Sequence, residues 1–113
     1  MKRETQHIEW KESWRDEYLK WLAGFANAEG GVLVIGMDDQ GVPVGVADAK
    51  SLLEVLPNKI RDVLGILANI RLVGKSGKEL VEIRVEPYPN PVSDKGEYHI
   101  RSGSTKQELK GAA

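Results

Sequence analysis

Three acidic side chains, Glu4, Glu9 and Asp39, hold positions from which they could share a metal ion. Glu9 lies on the first predicted strand, Glu4 just before it, and Asp39 in the turn after a central apolar strand. If these strands are neighbours, the carboxylates converge at one end of a sheet. Carboxylate oxygens suit Mg²⁺ or Mn²⁺, and such a metal could activate water to cleave a phosphodiester. The alternative is an ordinary polar turn, which Asp and Gly favour on conformational grounds.

A second candidate site follows the last predicted strand, at residues 101–106 (RSGSTK). The Arg101 guanidinium can grip a phosphate with two N–H groups, and Gly103 lets backbone amides approach an anion. The alternative is a Gly/Ser loop that closes the domain. Lys11, on the same strand face as Glu9, could neutralise a phosphate. The predicted nucleic-acid contacts are Arg3, Lys11, Lys95, Arg101, Ser104 and Lys106.

Residues 69–76 (NIRLVGKS) are similar to a nucleotide-binding P-loop but fail two requirements of that motif. Asn69 stands where the first glycine belongs. A P-loop is also followed by a helix whose N-terminus helps to hold phosphate, whereas a strand is predicted here at 80–85. We therefore interpret the segment as a hairpin turn and do not predict ATP binding by this route.

The histidines and tryptophans each allow two interpretations. His7 and His99 alternate with apolar residues on predicted strands, which favours exposed strand positions over metal ligation or proton transfer. Trp14 and Trp21 share the apolar stripe of a predicted helix and are expected in the core. For Trp10 the sequence allows either a core position or stacking on a base.

The elements that would position these residues alternate between strands and two helices. The first helix is predicted to start at a capping box around Ser13 and to end at the glycines 30–31. The second is predicted to start after Asp48, with a kink or a fresh start at Pro57. The predicted strands are 5–11, 32–37, 42–46, 70–73, 80–85 and 98–101. This gives an α/β (α+β) fold with a mixed sheet and the order β-α-β-β-α-β-β-β.

Length and composition limit the number of domains and the class of protein. A chain of 113 residues is long enough for one domain, which we place at 1–105. The tail at 106–113 has little apolar character and suggests a piece of a longer protein. The charged N-terminus is not a secretion signal, no apolar run could span a bilayer, and cysteine is absent. These features favour a cytoplasmic protein, while a net charge of −1 favours no particular partner.

Three segments together resemble the Schlafen-type Alba-like domain, a family once grouped as divergent AAA proteins. They are ETQHIEWK at 4–11, AGFANAEGGVLVIGMDDQG at 23–41 and YHIRSGST at 98–105. The resemblance covers essentially the whole chain, and its middle segment is the most specific. Trp10, Ala28 and Ser102 depart from the family pattern, in which Phe, Thr and an apolar residue are usual. None of these departures removes a carboxylate.

The resemblance implies an Alba-like α/β fold and binding of DNA or RNA, often at the front of bacterial transcriptional regulators. In Schlafen proteins the domain is a metal-dependent RNA endonuclease with three carboxylates, which match Glu4, Glu9 and Asp39. We therefore predict a nucleic-acid-binding domain of a regulator or effector. The alternatives are a metal-dependent endoribonuclease with Mg²⁺ or Mn²⁺, and a module that forms a homodimer.

Overall fold

The computed structural model describes residues 7–102 and 105–109. This part of the chain forms two α-helices, seven β-strands and a turn of 3-10 helix at Asp16–Tyr18. In chain order they are β1 (Ile8–Lys11), α1 (Leu19–Ala26), β2 (Gly31–Ile35), α2 (Ala49–Leu64), β3 (Asn69–Lys75), β4 (Lys78–Val85), β5 (Ser93–Asp94), β6 (Glu97–Ser102) and β7 (Thr105–Leu109). Of the helices in this described part, neither is long and apolar enough to cross a membrane.

The strands form two sheets. The four-stranded sheet has the order β1-β2-β4-β3, with β1 parallel to β2 and the other neighbours antiparallel. The backbones of β5, β6 and β7 pair antiparallel in a separate sheet. A mixed sheet with two helices confirms the predicted α+β class. The first and central strands are neighbours, as the predicted metal site requires.

Both helices cover the same face of the four-stranded sheet, which we call the helix face. α2 is apolar at every third or fourth position and so buries one side, whereas six of the eight residues of α1 are buried. Leu22 and Phe25 of α1, like Leu56 and Ile60 of α2, are fully buried. They share a core with side chains from β2 and β4, namely Leu33, Ile35, Val81, Ile83 and Val85.

The start of α1 differs from the prediction. The capping box expected at Ser13 does not form, because the chain makes a 3-10 turn and α1 begins only at Leu19. The Asp16 carboxylate is engaged elsewhere, since its Oδ1 accepts hydrogen bonds from Lys59 Nζ at 2.9 Å and Trp14 Nε1 at 2.8 Å. These two hydrogen bonds hold the pKa of Asp16 below its ordinary value, and the bond from Lys59 has the larger effect. The bond from Lys59 also ties the turn to α2.

The strand predicted at 42–46 is wrong. Only an isolated bridge between Met37 and Pro43 remains of it. Asp38 supplies the physical reason, since its Oδ1 accepts hydrogen bonds from two backbone N–H groups of the turn, each at 2.9 Å. Such side-chain bonds satisfy the backbone locally and compete with strand pairing. The order in the described residues is β-α-β-α-β-β-β-β-β, which matches the prediction only roughly.

The second helix and the hairpin follow their predictions more closely. α2 begins after Asp48 and continues through Pro57 to Leu64, without the fresh start that the proline suggested. The hairpin joins β3 to β4 through Ser76 and Gly77, whose φ angles are both positive, as the tight turns of hairpins require. The last predicted strand lies within β6, and β7 occupies part of the predicted tail.

Asn27 connects the end of α1 to the segment that leads into the second sheet. Its Nδ2 donates to the Val92 carbonyl at 2.7 Å, and its Oδ1 accepts from the Val92 N–H at 2.6 Å. The side chain thus pairs with both polar groups of one residue, as a neighbouring strand would. Because Val92 is buried, water cannot easily replace these bonds.

We expect Asn27→Ala to lower the free energy of unfolding by about 2 kcal/mol, since it leaves two poorly hydrated backbone groups without partners. Chemical denaturation with a circular-dichroism readout measures this. Asn58→Ala is the matched control, because Asn58 is exposed on α2 and its loss is expected to be neutral. Equal stability of the two variants would contradict the role given to Asn27.

Candidate nucleic-acid interface

The four-stranded sheet presents a second face, opposite the helices, which we call the open face. Side chains alternate along a strand, so the pairing register identifies the residues on this side. They are Ile8 and Trp10 of β1, Val32 and Val34 of β2, Asn69, Arg71, Val73 and Lys75 of β3, and Lys78, Leu80, Glu82 and Arg84 of β4. Within the described part of the chain, the apolar cluster on this side contains no helix residue.

A groove with a volume of about 800 Å³ lies over the open face. Its lining includes the apolar side chains Ile8, Val32, Val34, Val73 and Leu80. Trp10 also borders the groove but is only 5% exposed, because the 38–41 turn lies against its ring. A Cβ atom at Gly41 would come within 3.0 Å of that ring. Of the two interpretations of Trp10, the structure therefore supports the core position over a free stacking surface.

Basic side chains outnumber acidic ones on the half of the open face formed by β3 and β4. Glu82 is the acidic residue there, and its Oε1 lies 3.0 Å from both Nε and Nη2 of Arg71. Among the residues described, no ion pair engages Lys75, Lys78 or Arg84. We call Arg71, Lys75, Lys78 and Arg84 the β3–β4 cations.

The pairing of two of these cations is electrostatically unfavourable. Lys75 and Lys78 are direct cross-strand partners at the end of the hairpin, and both are exposed. Like charges in such positions destabilise a sheet. A bound anion would relieve the repulsion, so this end of the groove is suited to phosphate.

The other end of the groove carries acidic side chains. Glu29 and Glu86 line it there, together with His7. His7 Nε2 lies 3.5 Å from a carboxylate oxygen of Glu29. The groove is thus polarised, with Lys75 and Lys78 at the hairpin end and the acids at the other end, where Arg84 is the register partner of Val32.

Glu9 and Lys11 point to the helix face instead. Glu9 is 5% exposed, and its Oε2 lies 3.4 Å from Lys11 Nζ. The same ammonium lies 5.0 Å from the ring centre of Tyr18 and 5.2 Å from that of Trp21, within cation–π range. The Lys11 charge therefore has partners inside the fold, with which a phosphate would have to compete.

The predicted metal site falls only partly within the described residues. Glu4 lies outside them. Asp39 is exposed in the turn that leans on Trp10, whereas Glu9 faces the helices and already neutralises an ammonium. In the part of the chain that the structure describes, no three His, Cys, Asp or Glu side chains could hold a metal ion together. The described donors alone do not fit Mg²⁺ or Mn²⁺, and the three-carboxylate site stays a prediction.

The other predicted phosphate contacts are spread over the second sheet and the chain ends. Lys95 is exposed in the turn between β5 and β6. Arg101 and Lys106 are register partners on β6 and β7. Arg3 and Ser104 lie outside the described residues. The structure brings none of the described members of this set onto the open face.

The sequence analysis missed the β3–β4 cations. Part of their signal was present, because Arg71 and Arg84 lie on the predicted strands 70–73 and 80–85, whereas Lys75 and Lys78 fell in or beside the predicted turn. Alternation alone places such residues on one face. It could not tell which face the helices leave open.

Comparisons with known proteins agree with this architecture. Residues 4–110 match the family model described as Schlafen, AlbA_2. Among curated proteins no sequence matches the chain.

Two solved structures share the fold at low sequence identity. The DIP2311 protein from Corynebacterium diphtheriae is similar with a TM-score of 0.77 and 19% identity, over 92% of this chain and 22% of that chain. The N-terminal domain of a RecG-related protein from Nitrosomonas europaea gives a TM-score of 0.70 and 24% identity, over 95% of this chain and 84% of that one. This chain therefore spans less than a quarter of the length of DIP2311.

Proposed function

Because the chain belongs to the Schlafen, AlbA_2 family, we propose that it is a nucleic-acid-binding domain that contacts phosphates. The observation that carries the proposal is the set of β3–β4 cations, three of which form no ion pair with the described residues. Phosphate contacts supply most of the sequence-independent affinity of proteins for DNA and RNA. A locally positive face provides such contacts although the whole chain has a net charge of −1.

The RecG-related structure supports the same role for the domain. The full name of the RecG-related protein refers to an ATP-dependent DNA helicase, a protein that acts on nucleic acid. DIP2311 contains a similar fold within a much longer chain. We propose that this domain likewise positions a larger transcriptional regulator or effector on nucleic acid, with Arg101, Lys106, Lys95 and Lys11 as further contacts.

Substitution of the two paired lysines tests the proposal. We expect Lys75→Gln with Lys78→Gln to weaken binding of labelled RNA or DNA about tenfold at low salt. The dependence of log K on log[salt] should also become shallower by about 1.5, because each lost phosphate contact removes about 0.7 to 0.9 from the slope. Fluorescence anisotropy at several salt concentrations measures both quantities.

The control replaces Lys50 and Arg61 by Gln, since both are exposed on α2 and lie away from the open face. This variant loses the same charge and should keep the parent affinity and slope. If the parent protein retained neither RNA nor DNA at low salt, the proposal would be overturned. Equal losses in the two double variants would mean that binding depends on overall charge and not on the open face.

A further inference from the structure

We infer that the open face selects single-stranded nucleic acid over duplex, with bases on its apolar half and phosphates along its β3–β4 cations. The inference rests on the proposed function and concerns the same surface. The two halves of the open face differ in chemical character. The outward residues of β1 and β2 are apolar (Ile8, Trp10, Val32 and Val34), whereas those of β3 and β4 include all four cations.

The apolar half has little to offer a duplex. In a duplex the flat faces of the bases are stacked inside, and the grooves present mainly polar edges. An unpaired strand exposes the base faces, which apolar and aromatic surfaces cover favourably. Ile8 and Val32 are register partners on β1 and β2 and are half-buried in the free protein, so a base lying on them would remove apolar surface from water.

The width and length of the open face fit a single strand of nucleic acid. Four neighbouring strands about 4.8 Å apart give a width of about 14 Å. Arg71 and Lys75 are four residues apart on β3, which at about 3.3 Å per residue separates them by about 13 Å along the groove. Cations spaced in this way can follow one sugar–phosphate backbone along β3, while the bases turn towards β2.

The acidic end of the groove restricts where the phosphates can lie. Glu29 and Glu86 lie near the start of β2, where Arg84 is the register partner of Val32, and they would repel a backbone that extended beyond Arg84. The path of lowest repulsion therefore runs from Arg71 towards Lys75 and Lys78 at the hairpin end. Removal of the exposed Glu86 charge should tighten binding, which no purely structural role of this residue would cause.

The charge pattern disfavours a second copy of the chain as the occupant. A two-fold pairing brings the same patch of both copies together, and centred on β3 and β4 it would place the cations of one copy against those of the other. A polyanion meets no such repulsion. A second copy is nevertheless an outcome that the test must distinguish.

The test compares a labelled 12-nucleotide RNA, the DNA of the same sequence, and their duplexes by anisotropy. We expect the parent to prefer single strands about tenfold. Ile8→Thr with Val32→Thr makes the apolar half of the face more polar while keeping β-branched side chains. This variant, called the floor variant, should reduce that preference at least about threefold with an unchanged salt slope. The control is Val55→Thr with Val63→Thr, at exposed positions of α2, which should keep the preference. Circular dichroism verifies folding of each variant.

If the floor variant does not fold, Glu86→Gln decides, with an expected gain of about threefold in affinity for single strands. Duplex binding as tight as single-strand binding overturns the inference and leaves the proposed function standing. Absence of binding to every probe overturns both. Sedimentation velocity that shows a parent dimer dissociated by the floor substitutions also overturns the inference, in favour of a second copy on this face.

Discussion

Gly31→Ala is expected to destabilise the domain by about 3 kcal/mol, because strand β2 has no room for a methyl group at this position. A Cβ atom at Gly31 would overlap the ring of Phe25 and would lie 2.8 Å from the carbonyl oxygen of His7. Phe25 is fully buried in the core between α1 and the sheet, so its ring cannot swing away without opening a gap elsewhere. The free energy of unfolding in urea measures the loss.

Gly74 provides a matched control within the same sheet. It also lies in a strand, but no atom lies within 4 Å of the position that its Cβ would take. Gly74→Ala should leave stability unchanged or raise it by about 0.5 kcal/mol, since alanine restricts the unfolded chain. Adding Phe25→Leu to Gly31→Ala should recover part of the loss by shortening the obstructing side chain. Identical denaturation midpoints for the two alanine variants would contradict the close packing of β2 on α1.

Glu9→Gln is expected to cost about 2 kcal/mol of stability, because it leaves the Lys11 ammonium in a partly desolvated place without its carboxylate. The Lys11 side chain is 26% exposed and the Glu9 side chain 7%, so the penalty is smaller than for a fully buried pair. A second substitution, Lys11→Met, removes the isolated charge and should restore most of the stability. No recovery in the double variant would mean that Glu9 is held by other contacts.

This result bears on any test of the predicted endoribonuclease. Loss of RNA cleavage in Glu9→Gln alone could follow from unfolding, whereas Asp39 is exposed and Asp39→Asn should fold like the parent. Cleavage of structured RNA with Mn²⁺ should therefore be compared in Asp39→Asn and in the Glu9→Gln, Lys11→Met pair. Unchanged cleavage in both would assign the activity to a contaminant.

The predictable parts of the fold were those with strong local signals. Apolar residues at helical spacing located both helices, and the glycine-containing turn at 74–77 located the β3–β4 hairpin. The motif AGFANAEGGVLVIGMDDQG at 23–41 identified the family, which the match over residues 4–110 confirms. Each of these signals is contained within a short stretch of the chain.

The predictions that failed concerned features that depend on contacts between distant residues or on competition for one side chain. Asp38 bonds to its own turn and so removes the strand predicted at 42–46. Asp16 bonds to Lys59, 43 positions away, and the capping box does not form. The open face could not be predicted either, because strand alternation does not say which side of the sheet the helices will cover.

Strand β4 also suggests how proteins of this architecture could diverge. Val81, Ile83 and Val85 lie in the interior, and substitutions there would be tested first by whether the chain still folds. Lys78 and Arg84, at alternating positions, are exposed, and there a new side chain meets solvent or ligand. Mutation can therefore change what such a domain recognises without repacking it, and domains with one backbone can come to serve different partners.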